Sequence, residues 1–145
     1  SVMKRTDRLK PLVSHTNKKE QLALKAMTTS KNELEIELKK VKQLKSYKTE
    51  YMHKQSIKNV TYSSFELQEF KRFIDQLDQT IIQQREIVTM RRQALDHKWK
   101  IWQLTRVNLK AMHKAVDNLN KVERFKEEKI EQKVMDELYQ RKIRN

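Results

Sequence analysis

From Ser64 to about Lys142 the chain contains no glycine and no proline. Counted in sevens, one register carries Leu67, Ile74, Ile81, Val88, Leu95, Trp102, Leu109 and Val116, is interrupted at Glu123 and resumes at Ile130. Three residues further along each heptad stand Phe70, Leu77, Gln84, Arg91, Lys98, Thr105, Met112 and Leu119. This is a 3.5-residue period with apolar a positions and d positions that are apolar only toward the two ends. A helix of this length must bury its stripe against a partner, because propensity alone does not hold it. At about 1.5 Å per residue it would extend roughly 120 Å. The expected molecule is a rod.

The rest of the composition fits that expectation. The whole chain has no glycine and one proline, Pro11, so tight turns and sheet hairpins lack their usual residues. Charged residues make up 36% and aromatics 7%, a balance suited to long solvated helices with a narrow seam rather than an enclosed core. Without such a core there is no natural place for a buried active site. Cysteine is absent, which excludes disulfides and thiolate metal sites. Apolar runs are too short for a membrane span or for the apolar region of a signal peptide.

Net charge is +14 and unevenly placed. Residues 34–84 hold nine Lys/Arg against seven Asp/Glu, whereas the remainder holds twenty-four against twelve. If the chain folds back near residue 58, most of the charge gathers where both termini lie. Such a field would steer an acidic partner, nucleic acid or an anionic membrane toward that end.

Taken in order, residues 1–6 show no pattern and are expected to fray. Pro11 suits a first turn, so the first helix is predicted to begin between Asp7 and Lys10. Its apolar residues recur at Leu12, His15/Thr16, Ala23/Leu24, Met27, Leu34, Leu38, Val41 and Met52, and the helix is predicted over about 8–53. Periodicity lapses over about 55–63. Ser63-x-x-Glu66 is then a capping box, with Tyr62 and Leu67 placed as a hydrophobic staple, and the second helix is predicted over about 64–142. Two long amphipathic helices joined by so short a connection become antiparallel neighbours. The fold class is all-α, a single antiparallel two-helix coiled-coil hairpin over 1–145 whose second helix is longer and protrudes. Paired outward from the connection, helix 1 runs out opposite residue 110, and some thirty residues of helix 2 are left bare. That overhang carries Leu119, Val122, Phe125, Ile130, Val134 and Leu138 among interleaved Lys, Arg and Glu.

Catalytic and metal patterns are weak. His113 and Asp117 lie one helical turn apart, a spacing that would supply half a metal site but reads as an i,i+4 ion pair on a basic helix. Glu127, Glu128 and Glu131 read as charge balance, and no glycine-rich phosphate loop exists. No enzyme activity, cofactor or metal is expected. The basic residues are interleaved with Glu rather than gathered into a continuous basic region, which argues against nucleic acid.

The aromatics are more informative. Six of ten fall between residues 47 and 73: Tyr47, Tyr51, Tyr62, Phe65, Phe70 and Phe73. On helix 1, Leu34, Leu38, Val41 and Met52 share one face, and Leu44, Tyr47 and Tyr51 form a second stripe about 100° away. The cluster is either a wide core at the hairpin tip or an exposed patch that a partner covers. Trp102 belongs to the a row; Trp99 lies across the seam or faces outward. The polar d positions Gln84, Arg91, Lys98 and Thr105 describe a loosened middle, with snorkelling or repacking as its two explanations.

The order of Tyr47-Lys-Thr-Glu-Tyr51, Phe73-Ile-Asp-Gln-Leu77, Ile81-Ile-Gln-Gln-Arg85, a tryptophan-bearing midsection and Glu131-Gln-Lys-Val-Met-Asp-Glu137 resembles the FliJ family of bacterial flagellar export proteins, whose relatives are YscO-type stalk proteins. The resemblance implies a coiled coil similar to the central stalk of rotary ATPases, cytoplasmic and peripherally associated with the inner membrane. It implies three partners: a hexameric export ATPase, a transmembrane export gate and export chaperones. Carried across by position, Leu44, Tyr47, Tyr51, Phe73, Leu77, Thr80 and Gln84 would face the gate. Phe125, Lys129, Gln132, Met135, Asp136 and Glu137 would lie on the ATPase-facing end. Alternatives are a virulence-type secretion stalk, an export chaperone, a basic nucleic-acid-binding coiled coil, or a spacer that pairs with another copy of itself.

Overall fold

A computed structural model describes residues 5–58 and 61–144. Helix α1 spans Arg5–Ile57 and helix α2 spans Ser64–Arg144; they pack against each other as a helical hairpin, with no strand among the described residues. Of the expected frayed start at residues 1–6, residues 1–4 lie outside the described residues, as do Asn59 and Val60 of the expected connection, whereas Arg5 and Thr6 already belong to α1.

α1 differs from expectation at both ends, whereas α2 begins at the expected Ser64. α1 begins ahead of Pro11, which sits inside the helix rather than in its first turn. Proline removes one backbone donor and crowds the preceding turn. Side chains tie that turn down: Lys10 Nζ lies 3.1 Å from Asp7, and Thr6 Oγ1 donates to Glu123 at 3.3 Å. At its other end α1 runs a turn beyond His53, because Gln55 still has a partner: the Tyr62 hydroxyl reaches its backbone carbonyl at 3.1 Å and its side-chain oxygen at 2.8 Å. α2 opens with the predicted capping box. The Glu66 amide donates to Ser63 Oγ at 3.2 Å, and the Ser63 amide donates to Glu66 Oε2 at 3.4 Å.

The chain divides into two compact units, Leu24–Ile101 and Ser1–Ala23 with Trp102–Asn145. In the first, α1 turns Leu34, Glu37, Val41, Leu44, Lys48, Tyr51 and Gln55 inward at alternating steps of three and four residues. α2 answers with Phe70, Ile74, Leu77, Ile81, Gln84, Val88 and Leu95. Among the described residues Leu34, Leu77, Ile81 and Val88 are the buried apolar side chains, all of them in this unit. In the second unit Thr6, Leu9, Val13, Thr16, Glu20 and Ala23 hold the equivalent positions on α1. Trp102, Thr105, Leu109, Met112, Val116, Leu119 and Glu123 hold them on α2.

The apolar face expected on α1 is therefore rotated. Leu12, Leu24, Leu38 and Met52 are exposed, whereas Leu44 and Tyr51, expected on a separate stripe, belong to the seam. A strict 3.5-residue step admits Glu37 and Lys48 to the seam, because α2 supplies Gln84 and Asp78 to meet them. Leu67, the first member of the a series, is exposed as well.

The overhang is shorter than expected. α1 starts early enough to reach Glu123, so the seam continues well past residue 110. Every described residue from 124 to 144 is exposed.

Candidate functional site: an aromatic hairpin tip and a bare helix end

The aromatic cluster forms where the two helices of the Leu24–Ile101 unit approach their connection. Tyr51 lies across the seam from α2, its ring 5.5 Å from Phe70 in a stacked arrangement and 4.5 Å from Phe73. One turn back, Tyr47 stacks on Tyr51 at 6.5 Å and meets Phe73 edge-on at 6.2 Å. The cluster is thus part seam and part exposed surface. Tyr51, Phe70 and Phe73 are half-buried seam residues, while Tyr47 remains 50% exposed and Phe65 is more exposed still.

Two hollows flank the cluster. A groove of about 720 Å³ is lined by Tyr51, Tyr62, Phe65, Phe70 and Phe73, with Glu66, Glu69 and Lys58 at its edges. A smaller one of about 300 Å³ is almost wholly apolar; Tyr62 and Leu67, expected as a staple, line it with Met52 and Phe70. Aromatic walls around a polar-edged groove suit a protein partner that inserts apolar side chains.

Of the residues that the resemblance directs toward the gate, Leu44, Tyr47, Tyr51 and Phe73 fall on this surface or beside it. Leu77 is 9% exposed and belongs to the seam. Thr80 is exposed and its hydroxyl donates to the Gln76 carbonyl within its own helix at 3.0 Å. Gln84 is half-buried and donates to the backbone carbonyl of Glu37 at 3.1 Å and to its carboxylate. That hydrogen bond, with Lys40 and Arg91 nearby, holds the Glu37 carboxyl below the usual range.

The second surface is the exposed segment 124–144. Phe125, Lys129, Gln132, Met135, Asp136 and Glu137 all lie on it and all face solvent. Lys129 Nζ sits 4.7 Å from the centre of the Phe125 ring, a cation–π contact. Tyr139 and Ile143 went unnoticed in the sequence, although they continue the Met135 row at steps of four. Together with Val134 and Leu138 these three make one broad exposed apolar face. Phe70 was likewise missing from the expected set, and its d position was the available signal.

The middle of the seam is polar and only partly paired. Arg91 reaches Glu33 at 3.2 Å, and Lys98 faces solvent. In the other unit the Trp102 indole donates to Glu20 at 2.9 Å, Arg106 lies 4.9 Å over the Trp102 ring, and Thr105 donates to the Trp102 carbonyl at 2.7 Å. Trp99 faces outward.

Among the described residues no group of three or more His, Cys, Asp or Glu side chains is placed to hold a metal ion, and His113 with Asp117 has no third ligand. No described helix is long and apolar enough to cross a membrane. No curated protein and no solved structure matches the chain. The family model described as flagellar FliJ protein matches residues 3–145, and the chain belongs to that family, whose role lies in flagellar protein export.

Proposed function

We propose that the chain is a non-catalytic coupling stalk of the export apparatus. It joins a hexameric export ATPase to a transmembrane export gate and receives export chaperones, held peripherally at the cytoplasmic face of the inner membrane. The observation that carries this reading is the bare apolar face of residues 124–144. Val134, Met135, Leu138, Tyr139 and Ile143 are all largely exposed on one helix, with Lys133, Asp136, Glu137 and Arg141 beside them. An exposed apolar face of that kind is characteristic of an interaction site. Family membership makes the ATPase its natural occupant. The aromatic tip, with Tyr47 and Phe65 exposed around a groove, is the corresponding surface for the gate.

Two assays test the reading separately. Added protein should raise the hydrolysis rate and promote the oligomerisation of a cognate export ATPase; an unchanged rate and oligomeric state would sink the stalk reading. In pull-downs, Tyr47→Ala with Tyr51→Ala should lose the gate protein and keep the ATPase, and truncation after Glu123 should do the reverse. Loss of both partners from either change would refute the division of labour, provided circular dichroism shows that the hairpin is intact.

A further inference from the structure

α2 carries a second heptad row that its own hairpin does not cover. With Ile81, Val88 and Leu95 on the a positions of the seam, Ile87, Met90, Ala94, His97 and Ile101 follow at alternating steps of three and four residues, on the g and c positions. All five are exposed, Met90 to 67%. The row lies about 100° around the helix from the seam and keeps the same 3.5-residue period. Isolated exposed apolar side chains carry no meaning, but a row that holds this step for two heptads matches a supercoiled helix and little else. The row lies within the Leu24–Ile101 unit, distinct from both the tip and residues 124–144.

The borders of the row select its occupant. On the seam side stand Arg91 and Lys98, the two d positions that the hairpin leaves exposed; on the other side stand Glu86, Gln93 and Lys100. Arg91 is shared with Glu33 at 3.2 Å and Lys100 with Asp96 at 2.9 Å, while Lys98 forms no ion pair among the described residues. With the chain at +14, a second copy would bring like charge against this border. We propose that Ile87, Met90, Ala94 and Ile101 form a docking row for an acidic amphipathic helix of another protein, which lies along α2 as a third strand of the coiled coil. Apolar residues of the incoming helix cover the row and its carboxylates meet Arg91, Lys98 and Lys100. His97, polar within the row, favours an acidic side chain opposite it.

The test uses the full chain and two synthetic helical peptides. Both carry leucine at alternating steps of three and four; one is flanked by glutamates, the other by lysines. By fluorescence anisotropy the glutamate peptide should bind saturably at one per chain, and the lysine peptide at least tenfold more weakly. Met90→Glu with Ala94→Glu should weaken the glutamate peptide at least tenfold, with helix content and melting temperature unchanged. Met90→Gln, a milder change at the same exposed site, should show a smaller loss in the same direction. Equal affinity for the two peptides, or undiminished binding by both variants, would overturn the proposal. So would a wild-type dimer in sedimentation that the double variant dissolves, because the row would then be an interface between copies.

Discussion

The side-chain amide of Gln84 crosses the seam to Glu37, donating to its backbone carbonyl at 3.1 Å and to its carboxylate. Both residues occupy positions where a coiled coil ordinarily places apolar side chains. The same unit repeats the device with Lys48 and Asp78, and the other unit with Glu20 and Trp102 and with Thr6 and Glu123. A polar residue at a seam position sacrifices some burial and in return specifies register. An all-apolar stripe of this step would tolerate sliding by a heptad, whereas these pairs match in only one alignment.

Replacing the pair by Glu37→Leu with Gln84→Leu is therefore expected to raise the melting temperature by a few degrees, since removing both partners leaves neither unpaired. Register should become less unique. The natural chain has no cysteine, so pairs introduced one heptad out of the native alignment report slippage cleanly. They should cross-link more in the double variant than in the parent; equal cross-linking would show that the polar pair does not set register.

A pH effect follows from the same contact. The carboxyl of Glu37 is held below its ordinary value of 4.5, chiefly by the Gln84 hydrogen bond and further by Lys40 and Arg91. A depressed folded-state value means that the contribution is fully present above pH 4.5 and is lost as pH falls through the lower folded value. Melting curves below pH 4.5 should thus show a fall that is shallower in Gln84→Leu than in the parent. Parallel falls would assign the acid sensitivity to other groups.

Adjacent residues on α2 test the seam itself. Ile81 is 6% exposed and Ile82 is 51% exposed. Ile81→Ala should cost about 2–4 kcal/mol through lost burial and the cavity it leaves. Ile82→Ala should stay within about 0.5 kcal/mol, as surface substitutions do. Urea denaturation measures both, and similar costs at the two positions would mean that the seam runs elsewhere.

Much of this arrangement was legible in the heptads of α2, where Ile74 through Val116 face inward at the step the sequence shows. The capping box at Ser63 and Glu66 was legible too, because its chemistry is local. α1 was harder to read. Its seam contains Glu20, Glu37, Lys48 and Gln55, and a search for apolar recurrence chose Leu38 and Met52 instead. Their inward placement depends on Trp102, Gln84, Asp78 and Tyr62, partners distant in sequence for all but the last. The extent of the overhang was misjudged for a related reason: the hydrogen bond between Thr6 and Glu123 carries α1 past residue 110 of α2, and neither residue is apolar. The surfaces assigned to partners rest on exposure, and exposure emerges only once the seam is known.

At the tip, stability and binding should separate between neighbouring tyrosines. Tyr51 stacks on Phe70 and lies 4.5 Å from Phe73, whereas Tyr47 is half exposed. Tyr51→Ala is expected to cost about 2–3 kcal/mol, within the range for truncating a partly buried aromatic. Tyr47→Ala should cost less than about 1 kcal/mol. Tyr47→Ala should nonetheless weaken gate binding, because the lost ring is the exposed one. If only Tyr51→Ala affects the gate, the partner is responding to the shape of the tip rather than touching Tyr47.

Removal of residues 124–144 should leave the hairpin nearly as stable as before, since every one of them is exposed, whereas Glu123 is held to α1 by Thr6. The cut must follow Glu123. Truncation after Asn120 also deletes Glu123, leaves the Thr6 hydroxyl without its acceptor and should fray the start of α1, at a cost of about 1 kcal/mol for the lost hydrogen bond. Thermal melts of the two truncations separate these effects: the longer form should match the full chain and the shorter should melt earlier. Both should fail to stimulate a cognate export ATPase. If the longer truncation still stimulated hydrolysis, the bare face of Val134, Met135, Leu138, Tyr139 and Ile143 would have to serve a different partner.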